Sequence, residues 1–142
     1  MKKVFAGILC AASIAGCVTE QHSSTPIYKA FSTYNEVASN NNVLDVAHQF
    51  FSPSLLGENY KTNPDARQQL LFKDYMRRVD SHYEFSTQNE GCLSINGYDK
   101  ESAPVVFKLK YVASDDRWLI DKINVAFAES TADFSNTAEC PD

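Results

Sequence analysis

The hydrophobic residues of this chain change period near residue 80, and that change decides the fold class. Up to Val79 they recur at helical spacing; from Tyr83 onward they alternate, as a half-buried strand requires. A chain ordered this way folds as α+β, with helices first and an antiparallel sheet afterwards.

In the helical half, Thr25-Pro26 reads as N-cap and first helical residue. Ile27, Ala30, Phe31, Tyr34, Val37 and Ala38 share one face, so the spacing predicts a first helix from Pro26 to about Ser39. Asn40-Asn41-Asn42 breaks it, because Asn favours turns and caps. A second helix follows, with Val43, Val46, Ala47, Phe50 and Phe51 apolar and His48 on the polar side, and Pro53 ends it. Leu55 and Leu56 extend its apolar cluster. Asn63-Pro64-Asp65 repeats the cap pattern and opens a third helix to about Val79, burying Leu71, Phe72, Tyr75, Met76 and Val79. Its outer face offers Asp74 and Arg78 as a pair one helical turn apart.

In the strand half, Tyr83, Phe85 and Thr87 alternate with His82, Glu84 and Ser86, and the more apolar set is expected inward. Leu93 and Ile95 continue the alternation, and Asn96-Gly97 signals a two-residue turn. The longest strand, Val105 to Val112, turns Val105, Phe107, Leu109 and Tyr111 to one face; Ser114-Asp115-Asp116 then leads into Arg117 through Phe127. That last strand changes phase, since Trp118 and Ile120 have one parity but Ile123, Val125 and Phe127 the other. An extra residue near Asp121-Lys122, a β-bulge, restores a single buried face and curves the sheet.

The N-terminus carries Lys2 and Lys3, an apolar run from Val4 to Ile14, then Ala15 and Gly16, the layout of an export signal. Ile14-Ala15-Gly16-Cys17 resembles the cleavage and lipidation sequence of bacterial lipoproteins; an ordinary thiol beside a conventional cleavage site is the alternative. The resemblance implies a lipid thioether on Cys17 and a plan of signal peptide 1–16, tether 17–25, one domain 26–128 and a polar tail 129–142. It also implies a lipid-anchored place in the bacterial cell envelope. Val18 is not the Asp that resembles an inner-membrane retention signal, so the outer membrane, facing the periplasm, is expected. The apolar run is too short to span a bilayer, which takes about 20 residues.

On that plan Cys10 leaves with the signal and Cys17 takes lipid, so Cys92 and Cys140 remain in an oxidising compartment. A bridge between them is expected, closing a loop of about 49 residues for roughly 4 kcal/mol on chain-entropy grounds; two free thiols are the alternative. Losing Lys2 and Lys3 moves the formal charge from −5 to −7, which disfavours nucleic acid or anionic lipid as partners.

Ala47-His48-Gln49-Phe50-Phe51-Ser52-Pro53-Ser54-Leu55-Leu56 resembles the second-helix region of the nuclear-transport-factor-2-like superfamily, and Arg117-Trp118-Leu119-Ile120-Asp121-Lys122-Ile123-Asn124-Val125 resembles its closing strand. The resemblance implies three N-terminal helices packed on a curved antiparallel sheet, a cone over residues 26–128. The short strands usual between the second and third helices are not visible. That fold serves enzymes, carriers and assembly modules alike.

The cone reading makes Tyr34, Tyr75, Tyr111 and Trp118 the candidate ligand pocket, although aromatic residues at such spacing are more often core. His82, Glu84 and a Tyr could form an acid/base set for an isomerase or hydratase, but the expected outward direction of His82 and Glu84 argues against it, and no catalytic residue is assigned. His22 and His48 are expected in solvent. No spacing suggests a metal site, a cofactor or a phosphate loop. The sequence therefore favours a membrane-anchored module that binds a small apolar ligand or an envelope protein. An enzyme is the first alternative, and an envelope inhibitor or immunity lipoprotein the second.

Overall fold

A computed structural model describes residues 26–142; the expected signal peptide, Cys17, the expected tether with His22, and the expected Thr25 cap lie outside the described residues. Among the described residues, four strands form an antiparallel meander in the order β1 (Arg78–Ser86), β2 (Glu90–Tyr98), β3 (Pro104–Ser114) and β4 (Arg117–Phe127). Short helices cover one face of this sheet, and the C-terminal tail crosses the other.

The helix α1 (Ile27–Val37) buries Ile27, Phe31 and Tyr34 against the sheet, while Val37, expected on the same face, is exposed at its last turn. The helix sits close because β2 carries Gly91 beneath it: a Cβ there would come 2.1 Å from Ile27 Cδ1. Asn42 closes its end. The Asn42 Oδ1 accepts from the Ser39 N–H at 2.7 Å, and its Nδ2 donates to the Val37 carbonyl at 2.9 Å. The asparagine run therefore stops the helix by occupying its terminal backbone groups.

The expected second helix is broken in the structure. It becomes α2 (Val43–Val46), a 3₁₀ turn at Ala47–Gln49, and, after an extended stretch, α3 (Pro53–Leu56). Pro53 opens a helix here instead of ending one, at the first position where a missing N–H costs nothing. Ser52 caps it by accepting from the Leu55 N–H at 3.1 Å. The extended stretch exists because Phe51 bridges to Ile120 of β4: the Ile120 N–H donates to the Phe50 carbonyl at 2.7 Å, and the Ser52 N–H donates to the Ile120 carbonyl at 2.8 Å.

The expected third helix is likewise shorter, α4 (Ala66–Leu70) followed by a 3₁₀ turn at Phe72–Tyr75. The Tyr34 hydroxyl donates to the Leu70 carbonyl at 2.6 Å, and by Arg77 the backbone already pairs with Tyr98 of β2. Val79 and Tyr75 are exposed as a result. Asp74 pairs with Lys73, while Arg78 lies over the Tyr98 ring, so the expected Asp74–Arg78 pair does not form.

Two strand expectations are overturned. Asn96-Gly97 is not a turn: Asn96 pairs with Ser81 on one side and Val106 on the other, inside β2. The reversal comes at Asp99–Ala103, where the Asp99 carboxylate accepts from the Glu101 and Ala103 N–H groups. In β1 the parity is opposite to expectation. Tyr28 of α1 donates its N–H to Glu84 Oε2 at 3.2 Å, and its ring stacks on His82 at 3.6 Å, so the polar set faces the helices. Tyr83 and Phe85 point away and stay exposed, Phe85 by 64%. A polar edge strand can do this because α1's N-terminus, with no side-chain cap and no acid in its first turn, needs an anion there.

The rest of the sheet follows the sequence except at its end, where Phe127, expected on the buried face with Ile123 and Val125, is 61% exposed. Val105, Phe107, Leu109 and Tyr111 are buried on one face of β3, and Asp115-Asp116, both with positive φ, make the two-residue turn. Lys110 pairs with Lys122 but Tyr111 with Ile120, which leaves Asp121 as the bulged residue. The Ser52 hydroxyl donates to its carboxylate at 2.6 Å.

The polar tail is ordered across the outer face of β2 and β3. Cys92 and Cys140 form a disulfide pair with sulfurs 2.03 Å apart. Asn96, buried in the sheet, accepts from the Ser135 N–H at 2.9 Å and donates to its carbonyl at 2.7 Å. Glu139 donates its N–H to the Ser94 hydroxyl and pairs through its carboxylate with Lys108. This strap explains why Ser94 and Asn96 are buried on what would otherwise be a solvent face.

Candidate functional site

The bulge at Asp121 turns Ile123 and Val125 to the helix side of β4, yet the helical layer does not reach down to cover them fully. Leu55 and Leu56 of α3, Tyr60 from the following 3₁₀ turn, and Ala66 and Leu70 of α4 stand across a gap. The result is a groove of about 350 Å³, completed by Asn63 and Gln69. That size falls at the lower end of small-ligand sites. Ala66 and Leu70 are buried and form its floor; the other apolar walls are half-buried.

The chemistry of this groove is neutral. None of its lining residues is acidic, basic or histidine, and its polar side chains are the amides of Asn63 and Gln69 and the Tyr60 phenol. It can hold an apolar group and hydrogen-bond a polar one beside it; it presents no side chain suited to moving a proton near neutral pH. A second hollow of about 420 Å³ lies by Asn40, Leu71 and Tyr75 and carries Arg67 and Asp74. Arg67 is already engaged there with the Asn40 carbonyl.

The four aromatic residues singled out by sequence do not line one pocket. Tyr34 and Tyr111 are sealed in the core. Burial pushes both phenols far above their ordinary pKa, and Tyr34 and the Glu84 charge add to the effect on Tyr111. The Tyr111 hydroxyl is buried without a hydrogen-bond partner. Tyr75 lies on the surface, edge-on to Phe127 at 5.6 Å, and Trp118 packs half-buried on the margin of the core. His82 and Glu84 hold α1, as described, and His48 is exposed as expected. Among the described residues, no cluster of His, Cys, Asp or Glu could hold a metal ion, and no helix is long and apolar enough to cross a membrane.

The groove residues left two traces in the sequence: the phase change that sends Ile123 and Val125 inward, and Leu55-Leu56 lying beyond the second helix. A gap between those two elements is a property of packing, which periodicity does not encode. Compared with protein families, curated proteins and solved structures, the chain matches none.

Proposed function

We propose that the protein is a lipid-anchored module of the bacterial envelope that binds an apolar group in the groove between α3, α4 and β4. The neutral lining of that groove carries the reading: apolar side chains stand beside the Asn63 and Gln69 amides and the Tyr60 phenol, with no acid, base or histidine among them, which suits an apolar group carrying a polar one beside it. The motif Ile14-Ala15-Gly16-Cys17 supports the anchor, and with Val18 next in sequence the outer membrane is its destination. Within the same reading the domain is a reduced nuclear-transport-factor-2-like cone. Helices before a meander with a bulge in its last strand are consistent with that family, while its strands between the second and third helices have no counterpart here.

The test is displacement of a fluorescent apolar probe. 1-Aminoanthracene should bind the soluble domain, and Leu56→Arg, which puts a charge on the groove wall, should weaken it at least tenfold. Binding indifferent to Leu56→Arg and to Val125→Lys sinks the groove as the site.

A further inference from the structure

We infer that the occupant of this groove is an extended polypeptide segment that adds as a strand to the open edge of β4; this rests on the groove being the binding site. β4 is an edge strand of the sheet, and one end of that edge is already used in this way. Phe51 runs parallel to it, and Ile120 turns its N–H and C=O outward to Phe50 and Ser52. Pro53 then carries the chain away into α3. Past the extra residue Asp121, alternation turns the backbone groups of Ile123 and Val125 outward in the same sense as those of Ile120. Among the described residues, no backbone bond from outside the sheet reaches either.

Those same two residues line the groove with their side chains. Apolar walls and unpaired main-chain groups therefore occupy one place, and this decides between ligand classes. An acyl chain laid over the edge would strip water from two N–H and two C=O groups and return no hydrogen bond. An extended peptide satisfies them with its own backbone, inserts alternate side chains between Leu56 and Tyr60 on one wall and Ile123 and Val125 on the other, and leaves Asn63 and Gln69 to bond its far edge. The uncharged lining selects uncharged residues at the inserted positions.

A combinatorial library of capped nonapeptides, displayed and selected on the soluble domain, tests this. The expected winners alternate apolar and polar residues and displace 1-aminoanthracene. N-methylating the amides of one parity in a winning peptide should weaken it at least tenfold, and those of the other parity much less; the protein itself is unaltered in this comparison. Selected peptides indifferent to N-methylation overturn strand addition. So does a library that yields nothing while lauric acid displaces the probe, which leaves the groove as a lipid site. Self-association of the domain that Val125→Lys abolishes, without peptide selection, gives the edge to a second copy and also overturns the proposal. If neither peptide, lauric acid nor 1-aminoanthracene binds, the groove reading itself fails.

Discussion

Tyr34 and Tyr111 are buried in the same core, but their hydroxyls are treated differently. Tyr34 donates to the Leu70 carbonyl at 2.6 Å, while the Tyr111 hydroxyl has no partner. Removing the first should strand a carbonyl and cost about 1 to 2 kcal/mol; removing the second removes an unpaired polar atom. Tyr34→Phe is therefore expected to lower the urea midpoint, and Tyr111→Phe to leave it unchanged or raise it. Both phenols have a folded pKa raised by burial above the unfolded value of about 10. Their contribution is complete below pH of about 10 and is lost as pH rises toward the folded pKa. Stability should then fall steeply in alkali, and each Phe variant should flatten that fall. That these tyrosines face inward was legible from their spacing; that they are sealed in the core and do not line a ligand pocket was not. Nor was the carbonyl that Tyr34 meets, because the end of α4 is set by that contact.

At the scale of elements, Glu84 gives α1 the cap that the helix's own sequence lacks. Glu84→Ala should destabilise by about 1 kcal/mol or less, since the site is exposed, and amide exchange should rise first at the N-terminal turn of α1. Equal protection of α1 in both proteins would refute the role. The inverted parity of β1 illustrates what alternation leaves open. Apolarity of Tyr83 and Phe85 fixes that the segment is a strand, while its facing was decided by the demand of a neighbouring helix terminus. Long, strictly periodic stretches such as α1 and β3 were legible to within two residues at each end, and the bulge in β4 was legible as well. The second and third helices were not, because a β-bridge to Ile120 and pairing to Tyr98 outcompete helical continuation. Asn96-Gly97 misled for a related reason. Gly97 serves close approach, with the Arg78 carbonyl 2.3 Å from where its Cβ would stand, and Asn96 serves the tail. The tail itself is held at graded strength: Ser135 by two bonds to Asn96, and Glu139 by Ser94, Lys108 and the adjoining disulfide. Cys140→Ser should raise amide exchange at Glu139 more than at Ser135, with the β2–β3 amides still protected. Equal loss at both positions would mean that the disulfide alone holds the strap.

For the whole molecule, the described core draws its buried residues from Ile27 onward, with the helical layer on one face of the sheet and the strap on the other. Stability and location should therefore be separable. The lipid proposed on Cys17 would contribute about 0.8 kcal/mol per buried methylene to membrane attachment, so several acyl chains make release negligible. None of that energy is needed to close a core that starts ten residues later in sequence. Cys17→Ser is accordingly expected to abolish acyl labelling and move the protein from the membrane fraction to the soluble one. Its melting temperature and its affinity for 1-aminoanthracene should match those of the lipid-free wild-type domain. Membrane partitioning unchanged by the substitution would remove the anchor from the proposed function. A lowered melting temperature would show instead that the segment before Pro26 takes part in the fold, and the groove beside β4 would then have to be reconsidered as a place where that segment lies.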